Sequence, residues 1–201
     1  LGEKEGLPAG NLGRIGLAIS RSNPNRVYAL VEATKNGLYK SDDGGQTWSL
    51  MNSNPEFVST RPFYFQEIAC DPQNENRLWL IYQMISKSDD AGKNFDVVIP
   101  YNGIHPDHHA FWIHPTNPNF IIDGNDGGIG ITRDKGKTWL FDEKLPVGQF
   151  YHINVDNEMP YNVMGGMQDN GSWRGPAYTW MSGGIKNYYW DNLWGGDGFD
   201  V

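Results

Sequence analysis

An all-β fold, a β-propeller of four-stranded antiparallel blades, is what this sequence predicts, and three observations carry it. The first is an eight-residue box, Ser41-Asp-Asp-Gly-Gly-Gln-Thr-Trp48, which returns as Ser88-Asp-Asp-Ala-Gly-Lys-Asn-Phe95 and Thr132-Arg-Asp-Lys-Gly-Lys-Thr-Trp139. The second is a Pro/Asn phrase ahead of each box, at Asn23–Tyr28, Asp71–Trp79 and Asn117–Ile122, with a fourth copy at Asp156–Val163 that no good box follows. The third is composition: 25 Gly, 12 Pro and 13% aromatic residues suit many short strands joined by tight turns. No window sustains the 3.6-residue period of a helix, so helical content should be low.

Each position of the box has a mechanical use. The Asp at the third position (Asp43, Asp90, Asp134) can fold its carboxylate back onto backbone N–H groups, as Asx-turns do. Ser41, Ser88 and Thr132 open the box, with Thr47 and Thr138 late in the first and third copies. The Gly at the fifth position (Gly45, Gly92, Gly136) takes a positive φ at no steric cost. The closing aromatic (Trp48, Phe95, Trp139) is large enough to pin the turn to a neighbouring strand. Strand-like residues flank each box, so a hairpin with a self-satisfied tip is expected. Calcium binding or catalysis by these carboxylates is set aside, because each already has a use inside its own turn.

The Pro/Asn phrases separate pairs of apolar segments: 15–20 from 27–31, 66–70 from 78–82, 110–114 from 120–123, and 151–155 from 163–166. One unit reads strand, Pro/Asn turn, strand, loop, strand, box, strand in about 45 residues, the length of a propeller blade. Four blades follow, at about 11–56, 57–100, 101–145 and 146–190, with a fifth beginning at Trp194. Both chain ends read as cut, so a segment of a propeller of six to eight blades is expected.

Composition also excludes. A net charge of −8 with no basic cluster argues against nucleic acid as a partner. No stretch is long and apolar enough for a membrane helix. The single Cys70 rules out an internal disulfide and reads as a small buried residue.

In an up-and-down blade successive loops alternate between two ends. Pro/Asn turns and boxes share one; second-to-third-strand loops and blade-to-blade links share the other. The second end holds Pro106-Asp-His-His109, Gly124-Asn-Asp-Gly-Gly128, Gly165-Gly-Met-Gln-Asp-Asn-Gly171 and Gly195-Gly-Asp-Gly198. Asp107, His108, His109, Asp126, Gln168, Asp169, Asn170 and Asp197 are therefore expected round one mouth of a central channel. Paired carboxylates there, with aromatics such as Trp112 and Trp173, would suit sugar binding or glycoside hydrolysis. Asp126, Asp169 and Asp197 are the catalytic candidates; Asp107, His108, His109, Gln168, Asn170 and Trp173 are the ligand-binding ones. The simpler reading makes Gly-Asn-Asp-Gly and Asp-Asn-Gly hairpin turns that need positive φ. Adjacent histidines on a strand face opposite ways, so only one of His108 and His109 should face the channel. The histidines fit no zinc spacing and no phosphate loop or Gly-x-Ser-x-Gly elbow occurs, so neither metal nor cofactor is expected.

The three boxes resemble the Asp-box, or BNR, repeats of sialidases, xyloglucanase-type glycoside hydrolases and the sortilin ectodomain. With Asp107-His-His-Ala110, Gly124–Gly128, Gly166–Trp173 and Gly195–Phe199, nearly the whole chain resembles large exported bacterial proteins described as sortilin-like or glycosyl-hydrolase-like. The resemblance implies a secreted, periplasmic or cell-surface protein whose propeller binds an extended ligand, glycan before peptide. Sialidase activity fits poorly, because Arg61-Pro62 does not match the Phe/Tyr-Arg-x-Pro motif. A xyloglucanase-like enzyme would use paired Asp residues; a sortilin-like protein would hold a protein partner without catalysis. No catalytic motif is intact, which favours binding.

Overall fold

The computed structural model describes residues 2–145 and 147–201. Its strands are β1 (Ile15–Ile19), β2 (Val27–Val31), β3 (Gly37–Ser41), β4 (Ser49–Asn52), β5 (Glu67–Asp71), β6 (Asn74–Ile81), β7 (Ile85–Ser88) and β8 (Asp96–Ile99), continuing as β9 (His108–Ile113), β10 (Ile121–Asn125), β11 (Gly128–Thr132), β12 (Leu140–Asp142), β13 (Phe150–Val155), β14 (Asn162–Met167), β15 (Gly171–Pro176) and β16 (Asp191–Trp194). They form four antiparallel sheets of four strands, each sheet in simple chain order. A single helical turn, α1 (Pro55–Val58), capped by the Asn54 side chain on Glu56 N–H, interrupts the link between the first two sheets. The fold is all-β, with the sheet pattern of part of a β-propeller. Residues up to Glu143, with the first three sheets, make one compact unit; Lys144–Val201, with the fourth, makes another.

Alternation along the strands builds the core of the first unit. On β2, Tyr28 and Leu30 face the second sheet and pack with Leu78, Leu80 and Phe95, whereas Ala29 and Val31 face the other way, beneath Leu7 and Leu12. On β6, Trp79 and Ile81 turn to the third sheet and meet Ile121, Phe111 and Trp139. The second strands of the first two sheets, β2 and the later half of β6, are thus buried on both faces.

At the box turns, Asp43 Oδ1 accepts the N–H groups of Gln46 and Thr47 at 3.0 and 2.9 Å, while the Thr47 hydroxyl donates to Oδ2 at 2.6 Å. The Ser41 hydroxyl donates to Oδ1 at 2.7 Å and accepts Gly45 N–H at 2.8 Å. Asp90 with Ser88 and Asn94, and Asp134 with Thr132 and Thr138, repeat the network. The Trp48 and Trp139 indole N–H groups close their turns on the carbonyls of Gly45 and Gly136.

A second recurrent bond joins each box to the Pro/Asn turn beside it. The N–H of Gly44, Ala91 and Lys135 donates to the carbonyl of Asn25, Asn76 and Asn119 at 2.9, 2.8 and 3.1 Å. Beside it, Arg26 pairs with Asp42 and Arg77 with Asp89. In the third sheet the positions exchange character: Phe120 stands where the arginines were, and the Arg133 guanidinium lies 4.9 Å from its ring centroid.

The fourth sheet departs from the expected bounds. Its outer strand is Asp191–Trp194, so Trp194 ends this sheet rather than opening a fifth. A connection over residues 177–190 stands where the other sheets have a box, which left no sequence landmark for the last hairpin. Beyond it, Gly198 N–H donates to Met167 O at 2.9 Å, as His108 N–H donates to Tyr82 O at 2.9 Å where the third sheet begins.

Two predictions follow from the box turns. Gly45 and Gly92 share a positive φ of 92° and 86°, but a Cβ on Gly92 would overlap Leu38 of the preceding sheet, whereas one on Gly45 would only touch Trp48 at 3.4 Å. Gly45→Ala should therefore cost about 1–2 kcal/mol, the left-handed penalty alone, and Gly92→Ala about 1–3 kcal/mol more from overpacking, read by urea unfolding.

The second concerns acid. The Thr47 hydroxyl and N–H and the Ser41 hydroxyl hold the Asp43 carboxyl down at about 2, and the Thr138 and Thr132 groups hold Asp134 at about 2. A depressed folded value stabilises above the unfolded value of about 3.9 and loses that contribution as pH falls toward the folded one. The thermal midpoint should drop between about pH 4 and pH 2, and a chain carrying Asp43→Asn and Asp134→Asn should show a shallower drop in the same scan.

Candidate functional site

Three segments of the first unit meet at the end of the sheets opposite the box turns: the loop before β5, the loop before β9 and the β10–β11 hairpin. The hairpin turns on Asp126 and Gly127, with Asn125 Oδ1 accepting the N–H groups of Gly127 and Gly128 at 3.0 Å each. Asp126 N–H donates to Asp107 O at 3.3 Å, and carboxylate oxygens of Asp107 and Asp126 lie within 4.8 Å of one another. Asp107 holds a positive φ of 62°.

His109 ties this pair to the loop before β5. Its Nε2 is 3.3 Å from Asp126 Oδ1, its ring stacks on Phe65 at 5.4 Å and 18°, and Tyr64 meets it edge-on at 5.4 Å. Arg61, at φ 51°, spreads its guanidinium over Phe63, Tyr64 and Phe65, and Phe63 remains 68% exposed. Arg14 donates from Nη1 to Tyr64 O at 2.7 Å, and the buried Gln66 amide bonds the carbonyls of Leu30 and Arg14.

Below these groups a cleft of about 320 Å³ runs between the innermost strands β1, β5 and β9, lined by Arg14, Gln66 and Glu67 at its polar end and by Leu17, Ala69 and Phe111 deeper in. Burial pushes the half-buried Glu67 carboxyl up from its usual range, while His109 and Arg14 pull it back.

Three of the expected mouth residues therefore come together in this unit: Asp107, His109 and Asp126. His108 does not join them. It is fully buried, its Nδ1 2.7 Å from Oδ2 of the equally buried Asp123, because the strand turns it away from the open side. Trp112 is also misplaced by the sequence reading: it lies toward the far end of β9 and packs on His114 and Phe120. The groups that went unnoticed are Phe63, Tyr64 and Glu67. The aromatic run of residues 63–65 was a visible signal, whereas the positive φ that presents it was not.

In the second unit, Asp169 sits at the β14–β15 hairpin tip with φ 56°, and its N–H donates to Asp197 Oδ1 at 3.0 Å. Asp197 thus serves the backbone of the hairpin. Gln168 Oε1 accepts the Tyr151 hydroxyl at 2.9 Å, and Asn170 Nδ2 donates to Gln168 O at 3.0 Å. The half-buried Trp173 closes the hairpin on Asn170 O at 2.7 Å, the same device as the box tryptophans. Cys70 is half-buried and its thiol is pushed up to about 11 by burial, which leaves it unreactive at neutral pH.

The raised Glu67 value makes a prediction. The folded state holds this proton more tightly than the unfolded chain, so ionising it costs stability as pH rises past the ordinary value of about 4.3. Glu67→Gln should raise the thermal midpoint at pH 7, with the gain vanishing toward pH 4, followed by scanning fluorimetry across that range.

No family model and no curated protein matches the sequence. Solved structures do match by shape. A GH74 xyloglucanase from Xanthomonas campestris superposes with a TM-score of 0.51 at 14% identity, over 80% of this chain and 29% of that one. A GH74 enzyme of Niastella koreensis gives 0.55 at 16%, over 89% and 30%. YCF48 from Cyanidioschyzon merolae gives 0.51 at 18%, over 92% and 57%. The chain spans under a third of the two GH74 enzymes and little more than half of YCF48, and at such identities the likeness establishes a shared β-propeller fold alone.

Proposed function

We propose that this chain is part of a β-propeller module that binds an extended glycan at the mouth formed by the loops before β5 and β9 and the β10–β11 hairpin. The observation that carries the reading is one cluster in which an aromatic run with an exposed member, Phe63, is joined through Tyr64, Phe65 and His109 to the close carboxylate pair Asp107 and Asp126, near an open cleft. A sugar ring offers apolar C–H faces that lie on an aromatic ring and hydroxyl pairs that donate to carboxylates. His109 keeps Asp126 in place, so the acceptor is preorganised. The GH74 neighbours are glycan-acting proteins on the same fold, which is compatible with this use of the mouth. Within the reading the box turns are Asp-box repeats, and the protein acts outside the cytoplasm of a bacterium, as the resemblance to exported Asp-box proteins implies.

A glycan array, followed by calorimetry on hits, tests it. Phe63→Ala and Asp126→Asn should each weaken binding by about 10- to 100-fold, the equivalent of about 1–3 kcal/mol. Absence of glycan binding by the wild-type chain, or binding indifferent to both variants, would overturn the reading.

One observation favours hydrolysis as a second reading. Carboxylate oxygens of Asp107 and Asp126 lie within 4.8 Å of one another, inside the roughly 5–5.5 Å separation that retaining glycosidases use rather than the wider gap of inverting ones. Asp107 and Asp126 would then do chemistry, and reducing sugar released from a bound polysaccharide would disappear in Asp107→Asn and Asp126→Asn. A sortilin-like scaffold that holds a protein is what remains if neither binding nor release is seen.

A further inference from the structure

We propose that the buried His108–Asp123 pair is the positioning element of the mouth, fixing the bulged register that sets Asp107 and His109 against Asp126. The significance of that mouth for ligand binding rests on the glycan reading above; the positioning itself does not.

The register shows what has to be held. Gly124 pairs with Ala110, but the next residue, Asn125, pairs with His108, so β9 advances by two residues where β10 advances by one. His109 is the extra residue. A bulge of this kind bends its strand and re-aims a side chain. In an unbulged ladder Asn125 would oppose His109, and every residue beyond that point on β9 would change face. Asp107 and His109 would then no longer lie beside Asp126.

The His108–Asp123 hydrogen bond spans this step diagonally, from the start of β9 to the middle of β10. It continues along the hairpin: Asn125 Nδ2 donates to the same Asp123 oxygen at 3.3 Å, and Asn125 Oδ1 holds the N–H groups of Gly127, in the tip, and Gly128, just after it. His108 N–H meanwhile anchors the strand to Tyr82 O of the second sheet. One connected path thus runs from the strand that carries Asp107 and His109 to the turn that carries Asp126.

The pair is a poor choice for stability alone. Among the described residues His108 Nε2 and Asp123 Oδ1 have no hydrogen-bond partner, and both are buried. Apolar residues of the same volume would avoid that desolvation. A directional bond, unlike an apolar contact, selects one register over its neighbour.

The experiment compares His108→Asn with His108→Gln in the full chain. Asparagine puts its amide N–H where Nδ1 stands and can still donate to Asp123; glutamine carries its amide out toward the Nε2 position. Both are polar and of similar size, so neither is a simple cavity. The readouts are the His109 Cε1–H and Asp126 amide NMR signals, the β1–β4 amides as a fold control, and affinity for any glycan found on the array. His108→Asn should leave His109 and Asp126 near their wild-type positions, whereas His108→Gln should move both and weaken glycan binding by at least about tenfold, with the β1–β4 amides unchanged. Equal behaviour of the two variants, or unmoved His109 and Asp126 signals in the glutamine variant, would overturn the proposal. A wild-type chain that binds no glycan would remove the functional reading, while the NMR comparison would still decide the positioning.

Discussion

Within the first three sheets the carboxylate at the third position of each box turn is the constraint on which the surrounding order depends. Asp43, Asp90 and Asp134 each accept bonds from the backbone and side chains of their own turn, so a chain reversal that would otherwise leave several N–H groups to water is closed from within. Because the tip is rigid, the N–H of the fourth box residue meets the Asn carbonyl of the neighbouring Pro/Asn turn in all three sheets. Two loops from different ends of the repeat are thereby locked side by side. The glycine that follows then packs against the sheet before it, Gly92 on Leu38 and Gly136 on Trp79, which turns a local bond network into a contact between sheets.

The outer part of this arrangement tolerates a change of chemistry as long as the inner part is kept. Arg26 with Asp42 and Arg77 with Asp89 are ion pairs at a partly exposed rim, where such pairs contribute little. In the third sheet Phe120 and Arg133 occupy the same two places and meet as a cation over a ring. The fourth sheet goes further and has no box, yet Ala177 N–H still donates to Tyr161 O at 3.0 Å, the counterpart of the link between box and Pro/Asn turn. What the repeat preserves is the backbone bond between the two loops, with the side chains around it free to differ.

That asymmetry explains what could be read from the sequence. The boxes and Pro/Asn phrases are local: each is recognised by residues within eight or nine positions of one another, so strands on either side of them were placed to within a few residues. The last strand of the fourth sheet was missed because its hairpin has no such phrase. At the mouth, the topology argument brought Asp107, His109 and Asp126 to one end of the first unit, but sequence alternation could not say which histidine turned inward. That depends on a bulge, and a bulge is a property of how β9 and β10 pair, not of either strand alone. Phe63 and Glu67 were overlooked for a related reason, since their exposure is set by the loop conformation at Arg61 and by the packing of three innermost strands.

Non-glycine residues at positive φ fall both inside and outside the box turns. Ala91 and Lys135 are non-glycine residues at positive φ inside box turns, where the neighbouring glycine and the Asp carboxylate impose it. Arg61, Asp107 and Asp169 are the other non-glycine residues in that region among those described, and none belongs to a box. Holding such residues there costs about 1–2 kcal/mol each by sterics, somewhat less for aspartate. In the first unit, Arg61 sits in the loop that carries the aromatic cluster and Asp107 in the loop before β9, at the end of the sheets away from the boxes. The repeat places self-satisfied turns at one end of the first unit, and the non-repeating loops that hold Arg61 and Asp107 at positive φ lie at the other.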